Sequence, residues 1–167
     1  MTTESRSQTD AQLLEIAVDS RHLPVSYLSS LLRVVQAALR EVARRADDTR
    51  DLFEHQPQPV LHLAVGHTEE ELTLHFSFAD PVDSSPLPQL SSVAFKAFVD
   101  QFSEMLKGLP QRGLWGESIG GARAGRYDSE VYRRLDQVRL EMRRFSKARL
   151  SFGRQTISFE GDRMEIN

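Results

Sequence analysis

Two runs of alternating apolar residues, separated by a short polar interruption, constrain the fold of this chain more than any other feature. Apolar residues alternate with small or polar ones at 61–65 and again at 72–78. This period of two is typical of strands with one buried face. A loop at 67–70 would join the two strands into a hairpin and set Leu63 opposite Leu74, with every large apolar side chain on one face.

Three other segments repeat apolar residues with the 3.6-residue period of an amphipathic helix. The first spans 28–42 and the second spans 95–106, where Ser91 or Ser92 would cap the first turn. The third has a narrow apolar seam formed by Val131, Leu135, Val138, Met142 and Phe145. Each helix is expected to pack one face on a common core.

Further strands are predicted at both ends of the chain. Alternation at 14–18 indicates a first strand, and two-residue turns at 153–154 and 161–162 indicate a C-terminal meander in which Leu150 lies opposite Ile157. The resulting order is β-α-β-β-α-α-β-β-β. One-sided strands and helices together predict an α+β fold, with a mostly antiparallel sheet and about three helices packed on one face.

Length and composition limit the classes of protein to consider. A chain of 167 residues suits one domain, which we expect at 11–167 after a disordered, polar N-terminal tail at 1–10. No apolar run approaches the roughly 18–20 residues that cross a bilayer, so we expect a cytoplasmic protein without membrane contact. The chain has no cysteine, which excludes disulfides, thiolate metal sites and a cysteine nucleophile.

Basic residues are concentrated in one part of the sequence. The formal charge is −3 overall, yet residues 123–154 contain ten basic and four acidic residues. Helical spacing places Arg133 and Arg144 on one face of the third helix and Arg139 and Arg143 in an adjacent row. Such a surface could bind nucleic acid, another anion or an acidic protein patch, or its charges could form local ion pairs in solvent.

The single tryptophan, Trp115, lies in a glycine-rich stretch at 108–127 that is predicted to be an extended or mobile loop. A tryptophan exposed on such a loop would be a strong anchor for a protein partner. A tryptophan folded back would instead close one edge of the core. The sequence leaves both interpretations open.

Two histidines of the hairpin are the only candidates for a metal site. The predicted register places His62 opposite His75 on the polar face, with His67 at the turn and Glu71 two pairs away. Imidazole and carboxylate groups are common ligands of zinc and other transition metals. Because His67 and Glu71 lie too far away for easy shared ligation, we expect no metal and no other cofactor.

The residues at 116–121 match the pattern G-x-S-x-G and locally resemble the nucleophile elbow of esterases and lipases with the α/β-hydrolase fold. The resemblance implies that Ser118 would be the nucleophile. In that fold the serine follows a strand and precedes a helix, and a histidine later in the chain accepts its proton as general base. Here the flanking stretches favour neither element, and the last histidine is His75.

No complete catalytic constellation is recognised, so no catalytic residue is predicted and a non-enzymatic function is favoured. We expect a protein-interaction module or assembly subunit that could associate with itself. The predicted contact residues are Trp115, Arg133, Arg139, Arg143 and Arg144. Binding of nucleic acid or an anionic ligand through the basic helix at 129–147 is the first alternative, and a serine hydrolase using Ser118 is the second.

Overall fold

The computed structural model describes residues 13–46, 49–54, 57–108, 129–161 and 163–167, which form one antiparallel sheet and a layer of helices. In chain order the elements are β1 (Leu14–Asp19), α1 (Val25–Arg45), α2 (Arg50–Glu54), β2 (Val60–His67), β3 (Glu71–Ala79), α3 (Pro88–Lys107), α4 (Ser129–Met142), β4 (Lys147–Phe152), β5 (Gln155–Glu160) and β6 (Arg163–Ile166). The strand order across the sheet is β2-β3-β1-β4-β5-β6. The predicted α+β fold is confirmed, with the short helix α2 added to the expected order.

The core lies between the helices and one face of the sheet. The inner strands β1, β3, β4 and β5 direct buried apolar residues towards the helices, so that they supply Ile16, Phe76 and Leu150 to the same face. All five residues of the predicted α4 seam are buried, as are the phenylalanines of α3. Phe95 of α3 stacks on Phe78 with ring centroids 5.6 Å apart. The opposite sheet face carries polar and charged side chains that are only partly buried among the described residues.

The C-terminal meander forms in the predicted register. Leu150 lies opposite Ile157, and the next turn sets Phe159 opposite Met164. Gly153 begins the first turn with φ of 60°, a left-handed conformation in which glycine pays no penalty for a Cβ atom. The turn sequence therefore determines the pairing of the strands on either side.

The hairpin of β2 and β3 forms with a different register from the predicted one. Leu63 lies opposite Phe76, and Leu74 lies opposite Val65 instead, a shift of two residues that leaves every side chain on its predicted face. The physical reason lies in the turn, where the Thr68 hydroxyl accepts a hydrogen bond from the Glu71 main-chain N–H at 3.0 Å. This contact closes a tighter turn than the four-residue loop expected at 67–70.

Helix α3 begins earlier than the serine caps would place it. Its first residue is Pro88, whose fixed φ and missing N–H suit the first helical position. Ser91 is buried in the first turn, and its hydroxyl accepts a hydrogen bond of 2.9 Å from the main-chain N–H of Phe78. This serine therefore joins the helix to the end of β3 and does not cap the helix.

Two predicted features lie outside the described residues: the N-terminal tail at 1–10 and the glycine-rich loop after Gly108. Within the described parts of the chain, no helix combines the length and apolar character needed to cross a membrane.

Candidate functional site

The outer strand β2 is the most distinctive surface of the described structure. It pairs with β3 on one side, and no other described strand pairs with its second side. An unpaired strand presents a row of main-chain donors and acceptors to solvent. We refer to this second side of β2 as the β2 edge.

The phase of the hairpin identifies which main-chain groups of the β2 edge point outwards. The Thr68 N–H donates to the Glu71 carbonyl at 2.9 Å, which makes this pair a hydrogen-bonded one. Hydrogen-bonded and non-bonded pairs alternate along an antiparallel ladder, so the even-numbered residues of β2 bond to β3. The N–H and C=O groups of Leu61, Leu63 and Val65 therefore point away from the sheet.

The same three residues carry the apolar side chains of the β2 edge. Their side chains lie on the helix-covered face of the sheet, but the cover decreases along the strand. Leu61 is partly buried, whereas Leu63 is 42% exposed and Val65 is 60% exposed. A partner strand placed here would meet outward main-chain groups and adjacent apolar side chains together.

The β2 edge lacks the features that usually prevent strand pairing, which are charged residues, proline, bulges and short length. The eight residues of β2 include no proline, and the longer stretch 55–68 contains no Asp, Glu, Lys or Arg. The other outer strand, β6, differs in length and charge, because it has four residues and carries the exposed charges of Arg163 and Glu165. The two ends of the sheet are therefore not equivalent.

The open face of the sheet carries a network of neighbouring charged and polar side chains. Arg149 lies 3.3 Å from Glu71 and 4.0 Å from Glu15, and Glu15 lies 3.8 Å from the Nε2 atom of His75. A shallow groove of about 560 Å³ crosses this face, with the small side chain of Ala17 contributing to its wall. Four basic and five acidic side chains line the groove, so opposite charges largely cancel and the groove favours neither sign of ligand.

Asp19, beside the groove, is held in its charged form. Its carboxylate accepts hydrogen bonds from the Arg21 guanidinium at 3.0 Å and from the Ser146 hydroxyl at 2.8 Å. The Arg21 side chain, the Arg21 main-chain N–H and Ser146 together lower the pKa of Asp19 far below its usual range. A carboxylate of this kind organises the end of β1 and does not serve as a proton donor.

The corrected hairpin register also separates the two histidines proposed as a metal pair. His62 lies opposite Ser77, and His75 lies opposite Ala64. The predicted pairing of His62 with His75 is therefore wrong. Among the described residues, no group of three or more potential ligands is placed to hold a metal ion.

Helix α4 ends at Met142, earlier than the basic helix predicted at 129–147, and arginines in and just after it lie beside acidic residues of α4. Arg133 lies 2.7 Å from Glu130, and Arg144 lies 3.0 Å from Glu141 while its guanidinium covers the ring of Tyr27 at 3.9 Å. These i,i+3 pairs reduce the positive field that a polyanion would meet. Arg133 and Arg144 nevertheless remain on the surface.

Arg139 does not lie on that surface. Its side chain is 0% exposed, and its Nε atom donates to the Asp136 carboxylate at 2.8 Å. The residue lies one position after Val138 and four after Leu135, which puts it at the border of the buried seam. The expected exposed row of Arg139 and Arg143 is thus corrected to Arg143 alone, a partly buried residue.

Trp115 and Ser118, the remaining predicted residues, lie outside the described residues. Comparisons of the chain with models of known protein families, with curated proteins and with solved structures found no match. The function must therefore be argued from the described residues and their chemistry.

The β2 edge is not among the sites predicted from the sequence. One signal was present, because the uncharged stretch 55–68 is unusual in a chain with 27% charged residues. That signal alone does not distinguish an outer strand from a fully buried central one, since both can lack charge.

Proposed function

We propose that this protein is a non-enzymatic interaction module that binds an extended partner segment along the β2 edge. The observation that carries the proposal is the combination of outward main-chain groups and exposed apolar side chains on an outer strand without charge or proline. Addition of a strand to an exposed sheet edge is a common form of peptide recognition.

The chemistry of the β2 edge defines the partner it would accept. Leu61, Leu63 and Val65 each offer one donor and one acceptor, so a partner in extended conformation would continue the ladder. Alternate side chains of the partner would lie beside Leu63 and Val65, where apolar residues would gain most from leaving water. We therefore expect segments with apolar residues at every second position.

Selection of peptides from a displayed random library tests this proposal. Wild-type protein is the target, and Val65→Lys is the counter-target, because a lysine on an outer strand opposes pairing without entering the core. Val82→Lys is the matched control, since Val82 is 82% exposed and lies in a loop outside β2. We expect alternating apolar peptides that bind wild type and Val82→Lys but lose roughly tenfold or more in affinity for Val65→Lys.

Two outcomes would contradict the proposal. One is the absence of any enriched peptide pattern on the wild-type protein. The other is a set of binders that Val65→Lys and Val82→Lys affect equally, which would place the binding surface elsewhere. Circular dichroism of both variants would establish that each substitution leaves the fold intact.

The predicted surface formed by Trp115 with Arg133, Arg143 and Arg144 is a second contact region to test. The variant carrying Trp115→Ala, Arg143→Glu and Arg144→Glu should weaken association if this surface contributes.

Binding of generic DNA or RNA at low salt, lost steeply as salt rises, would instead support the nucleic-acid alternative. Labelling of Ser118 by a serine-reactive phosphonate would support the hydrolase alternative.

A further inference from the structure

We propose that the segment bound along the β2 edge is β2 of a second copy of this chain, related by a two-fold axis that passes beside Leu63 and stands normal to the sheet. This inference rests on the proposed function and names its partner. The resulting dimer would have one continuous antiparallel sheet, with both helix layers on the same side.

The main-chain groups of the β2 edge fit this arrangement. With Leu63 opposite Leu63 of the partner subunit, Leu61 lies opposite the partner's Val65, and Val65 lies opposite the partner's Leu61. All three positions have outward N–H and C=O groups, so each can form a hydrogen-bonded pair of the antiparallel ladder. No outward group of these residues would remain unpaired.

The side chains favour this register over the neighbouring one in which the two-fold axis passes beside Ala64. On the helix-covered face, every apolar residue of the edge meets an apolar residue of the second copy. On the open face, the larger His62 meets the partner's Ala64, and the larger Val60 meets the partner's Gly66. A two-fold axis shifted to Ala64 would instead place Leu61 opposite the partner's His67, which makes a poorer match.

Charge and closure favour a second copy as the occupant. Pairing a strand with its own copy brings like residues together, so a charged strand would repel itself. The stretch 55–68 contains no Asp, Glu, Lys or Arg, and this obstacle is absent. The β6 edge is short and charged, so growth would stop at two copies in a closed, symmetric interface.

The cysteine-free chain permits a direct test by single thiols. In Leu63→Cys the two-fold axis would place each thiol opposite its equivalent, with Cα atoms about 5.5 Å apart, within the range that a disulfide spans. We expect mild oxidation to convert this variant to covalent dimer roughly tenfold faster than Val25→Cys, a control at the start of α1 where Val25 is 82% exposed against 42% for Leu63.

The register is tested by mixing two variants. Leu61→Cys and Val65→Cys should each cross-link slowly alone, because neither residue lies opposite its own copy. An equal mixture should form the mixed disulfide dimer quickly, and sedimentation of the wild-type chain should show a reversible dimer that Val65→Lys abolishes.

The inference would be overturned if Leu63→Cys cross-linked no faster than Val25→Cys and the wild-type chain sedimented as a monomer at high concentration. Peptide binding that Val65→Lys abolishes would then still support the proposed function, with a different protein as partner. Loss of both results would remove the proposed function as well.

Discussion

Replacing Arg139 by methionine should destabilise the protein far more than an ordinary surface substitution. The Arg139 side chain is fully buried and donates a hydrogen bond of 2.8 Å to Asp136, which is also buried. Methionine has a similar length but no charge, so the Asp136 carboxylate would lose this cation in a place where water cannot replace it. Removing one partner of a buried ion pair typically costs about 3–5 kcal/mol.

The magnitude is large compared with the whole stability of a small protein. Domains of this size have a free energy of unfolding of about 5–15 kcal/mol. In a chain of this length, each kcal/mol lost from the free energy of unfolding lowers Tm by about 2–4 °C, so Arg139→Met should lower Tm by about 6–20 °C.

The same helix supplies a matched control. Arg133 and Glu130 have the same i,i+3 spacing and lie 2.7 Å apart, but 57% of the Arg133 side chain is exposed to solvent. Exposed pairs of this kind contribute about 0–1 kcal/mol. Arg133→Met should therefore change Tm by only a few degrees.

Urea unfolding followed by far-ultraviolet circular dichroism measures both effects. A double-mutant cycle with Asp136→Leu then isolates the energy of the Arg139–Asp136 pair from the other interactions of each residue. Equal losses for Arg139→Met and Arg133→Met would refute the argument from burial. Such a result would indicate that the Arg139 side chain is accessible to solvent.

Three further predictions concern the turns, the helix start and pH. Ser91→Ala should lower the free energy of unfolding in urea by about 1–3 kcal/mol, because it leaves the buried main-chain N–H of Phe78 without its acceptor. Ser92→Ala, at an exposed position, should have little effect, and equal effects of the two substitutions would contradict the prediction. Gly153→Ala should cost about 1–2 kcal/mol through backbone strain alone, since no atom of the described residues, its two chain neighbours aside, lies within 4 Å of the added Cβ, and Gly153→Asn should cost less. Because the pKa of Asp19 is lowered, its ion pair with Arg21 stabilises the fold above about pH 4, and this contribution is lost as the pH falls further. The difference in unfolding free energy between wild type and Asp19→Asn should therefore shrink in acid. A difference that stays constant with pH would contradict this prediction.

The two hairpin regions show which parts of the fold can be predicted. In the C-terminal meander, short glycine turns leave a single pairing that keeps the apolar residues together, and Leu150 meets Ile157 as expected. In the β2–β3 hairpin, two registers that differ by two residues give identical faces. The Thr68 hydroxyl selects between them, and the apolar pattern carries no information about that choice.

The candidate site was less predictable because it depends on long-range order. A charged residue is expected on the surface, so the sequence predicts Arg139 there, although its position beside the seam allows burial with Asp136. Whether β2 lies in the centre or at the end of the sheet depends on how distant strands assemble. The local sequence predicts that β2 is a strand but does not determine its position in the strand order of the sheet.

The place of β2 in the sheet conflicts with its composition, and this conflict bears on function. An outer strand that remains unpaired is normally short, charged or interrupted, because it would otherwise pair with any extended chain. β6 has these properties, whereas β2 is twice as long, uncharged and exposes Leu63 and Val65. Left uncovered, such a strand is a site for aggregation. A specific partner strand removes that hazard and uses the same main-chain groups, which is why an interaction module explains β2 better than a protein that acts as an isolated chain.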